Sequence, residues 1–74
     1  MATHIDRIYA QIGEKIISER KKKKLSQEKL ASESKVDRSH MGFIEQGRRR
    51  PTISTLYRIV KALDIKLEDL FKGL

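Results

Sequence analysis

Apolar residues recur every three or four positions along much of this 74-residue chain, which is the spacing of amphipathic helices. The first such stripe predicts a helix from about His4 to about Lys22. A later stripe follows Thr52, a residue suited to capping a helix N-terminus. No segment alternates as a strand would, so we expect an all-α fold. The two stripes consist of Ile5, Ile8, Tyr9, Ile12 and Ile16, and of Ile53, Leu56, Ile59, Val60 and Leu63.

Capping residues divide the rest of the chain into shorter helices. Ser26 and Asp37 are placed to cap helices at residues 27–34 and 38–46, and Gly47 is placed to end the second of them. The element order predicts a five-helix bundle that forms a single domain over residues 1–74. A last short helix carries Leu67, Leu70, Phe71 and Leu74.

Two residues of the first helix lie away from the centre of its stripe. Arg20 falls at the edge of the stripe, so its guanidinium is expected at the border of the core. Ile17 lies well off the stripe and is expected to be exposed in a monomer. Ile17 is therefore a candidate contributor to an interface between two copies of the chain.

Composition narrows the range of partners. Seventeen Lys and Arg against ten Asp and Glu give a net charge of +7, which favours nucleic acid first and an anionic membrane surface second. The chain has no cysteine, and its longest apolar runs are two or three residues. We therefore expect neither disulfides nor a membrane span nor a signal-peptide core, and the composition fits a cytoplasmic protein.

The predicted third helix has two unlike faces. Met41 and Ile44 point one way, while the opposite face carries a guanidinium, a hydroxyl, a bare backbone patch and an aromatic ring. Such groups suit a DNA major groove, because arginine can donate two hydrogen bonds to guanine and phenylalanine can contact the thymine methyl. A loosely selected solvent face with a core-packing Phe is the alternative, and the helix alone does not decide between the two. The base-reading candidates are Arg38, Ser39, Gly42 and Phe43.

The residues on either side of this helix favour the DNA-binding interpretation. Two helices joined by a short turn at about residues 27–46 match the helix-turn-helix geometry. Polar and basic side chains before and after the reading face are placed to reach backbone phosphates. The phosphate-binding candidates are Gln27, Lys35, His40, Gln46, Arg48, Arg49 and Arg50.

Catalytic and metal-binding sites are not expected. His4 and His40 are the only histidines, and no cysteine or paired carboxylates accompany them at metal-ligand spacing. A domain this small has no room for a deep pocket, so we expect no enzyme activity, no cofactor and no small-molecule ligand.

Three motifs carry a family resemblance. The stretches LSQEKLA, IEQGRRRP and ALDIKLEDLF resemble successive signatures of phage-repressor/Cro-type (XRE-like) helix-turn-helix domains, over nearly all of residues 12–71. The stretch VDRSHMGFIEQG further resembles the small controller proteins of restriction–modification systems. The resemblance implies a lambda-repressor-like fold. It also implies a phosphate-clamping role for Gln27 and base reading by Arg38, Ser39 and Phe43.

The same resemblance implies a structural ion pair and exposes three departures from the family pattern. Arg20 and Glu45 match a pair that ties the first helix to the third. Lys35 and Asp64 stand where the family usually has Gly, so each is expected to require a positive φ. Lys66 stands where a Ser cap is usual.

The expected function is transcriptional regulation through double-stranded DNA. A homodimer would read a pseudo-palindromic operator whose half-sites are about 34 Å apart. Autoregulation and contact with RNA polymerase are further expectations, and no membrane partner is expected. The alternatives are an antitoxin-like partner of a toxin and a protein–protein adaptor that uses the same fold. The last helix carries more large apolar side chains than one small core needs. The predicted dimer interface therefore comprises Leu67, Leu70, Phe71 and Leu74, and closure of the core is the alternative role of the same residues.

Overall fold

The structure is a computed structural model that describes residues 3–74. Within these residues the chain forms helices and no strand, which confirms the predicted all-α class. No helix among them combines the length and the apolar composition that crossing a membrane requires. The five helices are α1 (His4–Lys22), α2 (Gln27–Ser34), α3 (Arg38–Glu45), α4 (Ile53–Leu63) and α5 (Leu67–Phe71).

Side-chain caps begin the first four helices. The side chains of Ser26, Asp37 and Thr52 accept hydrogen bonds from backbone N–H groups in the first turns of α2, α3 and α4, as predicted. Thr3 caps α1 in the same way. At α5 the arrangement is reversed, since the backbone N–H of the preceding residue donates to the Asp69 carboxylate over 2.9 Å.

Left-handed backbone ends several helices. Lys35 and Asp64 both have φ of 57°, as their glycine-like positions predict, and Gly47 has φ of 74°. Lys24 also has a positive φ, 58°, which the sequence did not reveal. α3 ends one residue earlier than predicted, with Gln46 as its C-cap. These turns set the angles between successive helices.

All five helices contribute apolar side chains to one core. The buried set matches most of the predicted stripes, and partly buried Ile8, Tyr9 and Leu67 pack against it. The core residues are Ile12, Ile16, Leu30, Ala31, Val36, Met41, Ile44, Leu56, Ile59, Val60, Leu63 and Leu70.

Four expectations about burial are wrong. Ile5 and Ile53 lie on the predicted stripes but are 51% and 60% exposed, because the first turns of α1 and α4 line the open side of a groove. Ile17 is half-buried rather than exposed. Leu70 is fully buried, since α5 folds back onto α1 and α4, and it is therefore not available to a second copy of the chain. Stripe spacing gives the direction of a side chain but not where the neighbouring helices end.

Two glycines set how closely α3 approaches α1. A Cβ atom on Gly13 would lie 2.4 Å from the carbonyl oxygen of Glu45 and 2.6 Å from that of Ile44. A Cβ atom on Gly47 would lie 2.7 Å from the Cα of Ala10. The C-terminal end of α3 thus rests directly on the backbone of α1, and this contact fixes the orientation of α3 in the bundle.

Candidate nucleic-acid interface

The two faces of α3 are separated as the sequence predicts. Met41 and Ile44 are 0% and 1% exposed and belong to the core. Arg38 and Ser39, on the other side, are exposed, and Phe43 is half-buried. Phe43 is therefore not a core residue. The remaining candidates on this helix are half-buried His40 and Gly42, and exposed Gln46 follows at the C-cap.

A buried carboxylate holds α3 in place. Glu45 is 4% exposed and accepts hydrogen bonds from Arg20 Nε at 2.8 Å and from Arg20 Nη2 at 3.2 Å. Arg20 Nη1 donates in turn to the carbonyl oxygen of Leu25 at 2.9 Å. One guanidinium therefore links α1, the loop before α2 and the end of α3. A bidentate pair of this kind fixes orientation as well as distance.

Gln27 completes this network from the start of α2. Its Nε2 donates to Glu45 Oε1 over 3.0 Å, and its Oε1 lies 3.4 Å from where a Cβ of Gly42 would be. The missing side chain of Gly42 therefore makes room for Gln27 on the surface of α3. The sequence assigned Gln27 to phosphate alone and did not reveal this contact between the two helices.

The three consecutive arginines have three different environments. Arg48 is exposed. The guanidinium of Arg49 lies 4.8 Å from the centroid of the Phe43 ring. Arg50 Nη2 donates to Asp6 Oδ1 over 2.7 Å, and its guanidinium is 5.8 Å from the Tyr9 ring centroid. The sequence grouped the three side chains as one phosphate-binding cluster, whereas the structure turns Arg50 toward the first turns of α1.

Asp6 is the acidic partner that the sequence did not identify. The hydrogen bond from Arg50, together with those from the Thr3 backbone and side chain, lowers the pKa of Asp6 to about 2. Because the pKa of Asp6 is lower in the folded state than in the unfolded state, the ionised carboxylate stabilises the fold at any pH above the unfolded-state pKa of about 4. This stabilisation is lost as the pH falls from about 4 toward 2. The Arg50 loop is thus tied to the N-terminus of α1 at neutral pH.

This tie can be measured directly. We expect an NMR titration to give Asp6 a pKa near 2 in the parent protein, and Arg50→Ala should raise it toward the unperturbed value of 3.8. Arg48→Ala is the matched control and should leave the Asp6 titration unchanged. A normal Asp6 titration in the parent protein would show that the arginine loop is not fastened to α1.

The turn between α2 and α3 carries further positive charge. Lys35 is exposed at the C-cap of α2, and Arg58 Nε donates to the carbonyl oxygen of Ser34 over 3.2 Å. Arg58 and Lys61 of α4 share a shallow cavity with Lys35. Arg58 was missed because it reaches this turn only through the packing of α2 against α4, which has no local signature in the sequence.

The described side chains around α3 do not form a cluster of metal ligands. Within residues 3–74 no three His, Cys, Asp or Glu side chains converge as metal ligands. The backbone N–H of His40 donates to Asp37 over 3.3 Å as part of the α3 cap. The described surface instead offers hydrogen-bond donors, positive charge and one aromatic ring around an exposed helix face, which is what recognition of an anionic polymer requires.

A family model described as helix-turn-helix matches residues 16–70, which include α2, α3 and the turn between them. The chain belongs to the helix-turn-helix family. The match covers the Arg20–Glu45 pair, the exposed face of α3 and the arginine loop. The family resemblance inferred from the three sequence motifs is thereby confirmed.

Relatives of this helix-turn-helix domain include a phage repressor. The chain is 38% identical over 56 residues to the immunity repressor protein of Bacillus phage phi105, a match that spans 76% of this chain and 39% of the repressor. It is also 32% identical over 59 residues to an uncharacterized HTH-type transcriptional regulator of Sinorhizobium fredii, which covers 80% of this chain and 77% of that protein.

Solved structures give the same fold. The restriction-modification controller protein C.AhdI from Aeromonas hydrophila matches with a TM-score of 0.83 and 36% identity, over 85% of this chain and 96% of the controller. A chain of the SinR protein/SinI protein complex matches with a TM-score of 0.80 and 30% identity, over 84% of this chain and 61% of that chain. The predicted likeness to controller proteins is therefore confirmed in three dimensions. These relatives are named as a repressor, a regulator or a controller, and none by an enzymatic activity.

Proposed function

We propose that this helix-turn-helix protein is a sequence-specific transcriptional regulator that binds double-stranded DNA as a homodimer. The proposal rests on the difference between the two faces of α3. Its inner face is locked into the core by Met41, Ile44 and the bonds to Glu45, while Arg38, Ser39 and Phe43 project from the outer side. A rigid helix with a polar, exposed face is what direct readout in a major groove requires.

Base reading and phosphate binding are divided between two sets of residues. Arg38 is placed to donate to a guanine edge, Ser39 to hydrogen-bond a base, and Phe43 to contact a thymine methyl, while Gly42 allows close approach. Phosphate contacts fix the position of the helix on either side of the groove. The proposed phosphate-binding residues are Gln27, Lys35, His40, Gln46 and Arg48, with Arg50 contributing at the edge of the loop.

The similarity to a phage repressor and to a restriction-modification controller favours control of gene expression. We propose autoregulation, in which protein concentration sets both dimerisation and operator occupancy. RNA polymerase is the proposed protein partner at the promoter. The position of the operator determines whether binding represses or activates.

An apolar groove is the proposed dimer interface. It has a volume of about 420 Å³ and lies where the N-terminal half of α1, the start of α4 and α5 meet. Ile5, Ile53 and Phe71 line it, and they are 51%, 60% and 38% exposed. Leu74 is 45% exposed at the C-terminal end and can extend this surface, whereas Leu67 is largely engaged with the core.

A second copy of the chain is the proposed occupant because a palindromic operator requires two reading helices related by a two-fold axis. The domain measures 32 × 24 × 21 Å, so two adjacent copies can place equivalent helices about one DNA turn, roughly 34 Å, apart. A module this small covers little DNA by itself, and pairing raises the affinity above that of non-specific binding.

Phe71→Glu tests this interface. The added charge should shift the protein from dimer to monomer in sedimentation equilibrium and reduce operator affinity, while the circular dichroism spectrum stays helical. Tyr57→Glu is the matched control for the dimer–monomer equilibrium alone, since Tyr57 is 53% exposed and lies outside the groove but shares a cavity with Lys35. Dissociation caused by the Tyr57 change and not by the Phe71 change would place the interface on another surface.

Selection of bound duplexes from a random pool tests the function itself. We expect enrichment of one pseudo-palindromic sequence with half-sites about one helical turn apart. A protein that enriches no sequence, while capturing one protein partner in a salt-insensitive way, would instead be an adaptor or an antitoxin-like protein.

Two arginine variants separate base reading from phosphate binding. Arg38→Ala should lower operator affinity by about 1–3 kcal/mol and relax the preference at one base pair per half-site. Arg48→Ala should weaken operator and random duplexes equally and reduce the salt dependence of binding by about one phosphate contact per subunit. Fluorescence anisotropy at several salt concentrations measures both effects. Equal losses on both duplexes for Arg38→Ala would contradict its base-reading role.

A further inference from the structure

Arg49 lies outside α3 in sequence but beside its reading face in space. Its guanidinium carbon is 4.8 Å from the centroid of the Phe43 ring, well within the range of a cation–π contact. Phe43 is half-buried and belongs to the same outer face as Arg38 and Ser39. The charged end of Arg49 is therefore brought next to the groups proposed to meet base edges.

The hydrogen-bonding capacity of this guanidinium is largely unused. A guanidinium carries five N–H donors, and within residues 3–74 the structure shows one hydrogen bond from it, from Nη1 to the Arg48 carbonyl oxygen over 3.3 Å. Stacking on an aromatic face also orients the guanidinium plane and restricts its rotation. A planar, oriented fork with free donors matches the O6 and N7 acceptors of guanine.

We propose that Phe43 and Arg49 form one stacked reading unit, in which Phe43 contacts a thymine methyl and Arg49 donates to a guanine within one or two base-pair steps of it. This inference rests on the proposed function. Base pairs follow one another every 3.4 Å along a strand, so a cation 4.8 Å from the ring reaches a neighbouring pair. Arg49 thereby becomes a specificity-determining residue rather than one of the phosphate contacts that the sequence indicated.

The neighbouring arginines do not share this arrangement. Arg50 Nη2 donates to Asp6 Oδ1 at 2.7 Å, and its guanidinium lies 5.8 Å from the Tyr9 ring centroid, so its charged end is held beside α1 and not beside Phe43. Arg48 is exposed, and within residues 3–74 no cation–π contact includes it. In this proposal Arg48 binds the phosphate backbone and Arg49 reads a base, while Arg50 is attached to α1 and reaches phosphate only at the edge of the loop.

Charge-conserving variants separate base reading from phosphate binding. Lysine keeps the positive charge that a phosphate contact needs, but it lacks the planar fork that recognises guanine. The experiment uses the full chain and the operator selected by the parent protein, and it compares Arg49→Lys with Arg48→Lys as the matched control. Affinities are measured on the operator, on its single-base variants and on a random duplex.

We expect Arg49→Lys to reduce operator affinity by about 5- to 150-fold and to abolish the preference at one base pair per half-site, with little change on the random duplex. Phe43→Leu should relax the preference at a base pair one or two steps away. Arg48→Lys should change the affinity for the operator and for the random duplex by the same factor and leave every base preference as in the parent protein.

An Arg49→Lys protein that keeps the parent affinity and the parent base preferences would overturn the inference and assign Arg49 to a phosphate. Failure of the parent protein to enrich any sequence is a separate outcome, which would overturn the proposed function and this inference together.

Discussion

Glu45→Ala is expected to destabilise the protein by about 3–5 kcal/mol, because it leaves a partly buried guanidinium without its partner. Glu45 and Arg20 have side-chain exposures of 3% and 13%, so water replaces the lost carboxylate poorly. A domain of this size rarely has more than roughly 3–5 kcal/mol of net stability. We therefore expect a largely unfolded population at room temperature, measured by urea denaturation followed by circular dichroism.

A double variant separates the charge from the packing. Arg20→Met with Glu45→Leu removes both charges and fills similar volume, and such replacements are often neutral for stability. It should recover most of the free energy of unfolding that Glu45→Ala loses. If the free energy of unfolding of Glu45→Ala is within about 1 kcal/mol of that of the parent protein, the ion pair is not what positions α3.

Gly13→Val is expected to lower the free energy of unfolding about as much as Glu45→Ala does. The Cβ of any side chain at this position would lie 2.4 Å from the Glu45 carbonyl oxygen and 2.6 Å from that of Ile44. These are backbone atoms and cannot rotate away, so α1 and α3 must separate. We expect a loss of about 3 kcal/mol or more in the free energy of unfolding, at the upper end of the range for overpacked interiors.

Gly42→Ala is the matched control, since Gly42 lies on α3 and faces Gln27 of α2 instead of the backbone of α1. The atom nearest to its Cβ would be Oε1 of the flexible Gln27 side chain, at 3.4 Å. Alanine is favoured over glycine inside a helix by about 1 kcal/mol, so this variant should be as stable as the parent protein or more stable. Because Gly42 lies on the proposed DNA surface, the same variant should bind the operator more weakly.

If Gly13→Val is as stable as the parent protein, α1 and α3 are not in backbone contact.

The positions of the helices were predictable because their signals are local. Ser26, Asp37 and Thr52 each cap the helix that follows them. The left-handed turn at Lys35 was implied by the family resemblance and not by a local signal. Where neighbouring helices end is a tertiary property. Leu70 was therefore predicted at an interface although it is buried in the core, and Ile5 was predicted in the core although it is half exposed.

The candidate site also has some features that were predictable from the sequence and others that were not. The outer face of α3 follows from helical periodicity, and the Arg20–Glu45 pair was implied by the family resemblance. The separate positions of Arg49 and Arg50 were not predictable, because consecutive loop residues carry no periodic signal. The partners Phe43 and Asp6 lie 6 and 44 positions away, and only the folded chain brings them to these arginines.

Guanine methylation interference on the selected operator tests most directly whether α3 reads the major groove. Methylation at N7 alters only the major-groove edge, so it should block the parent protein at one or more guanines in each half-site. The Arg38→Ala protein should lose sensitivity at one of these guanines and keep it at the others. Binding that is insensitive to N7 methylation, or an interference pattern that Arg38→Ala leaves unchanged, would contradict the account.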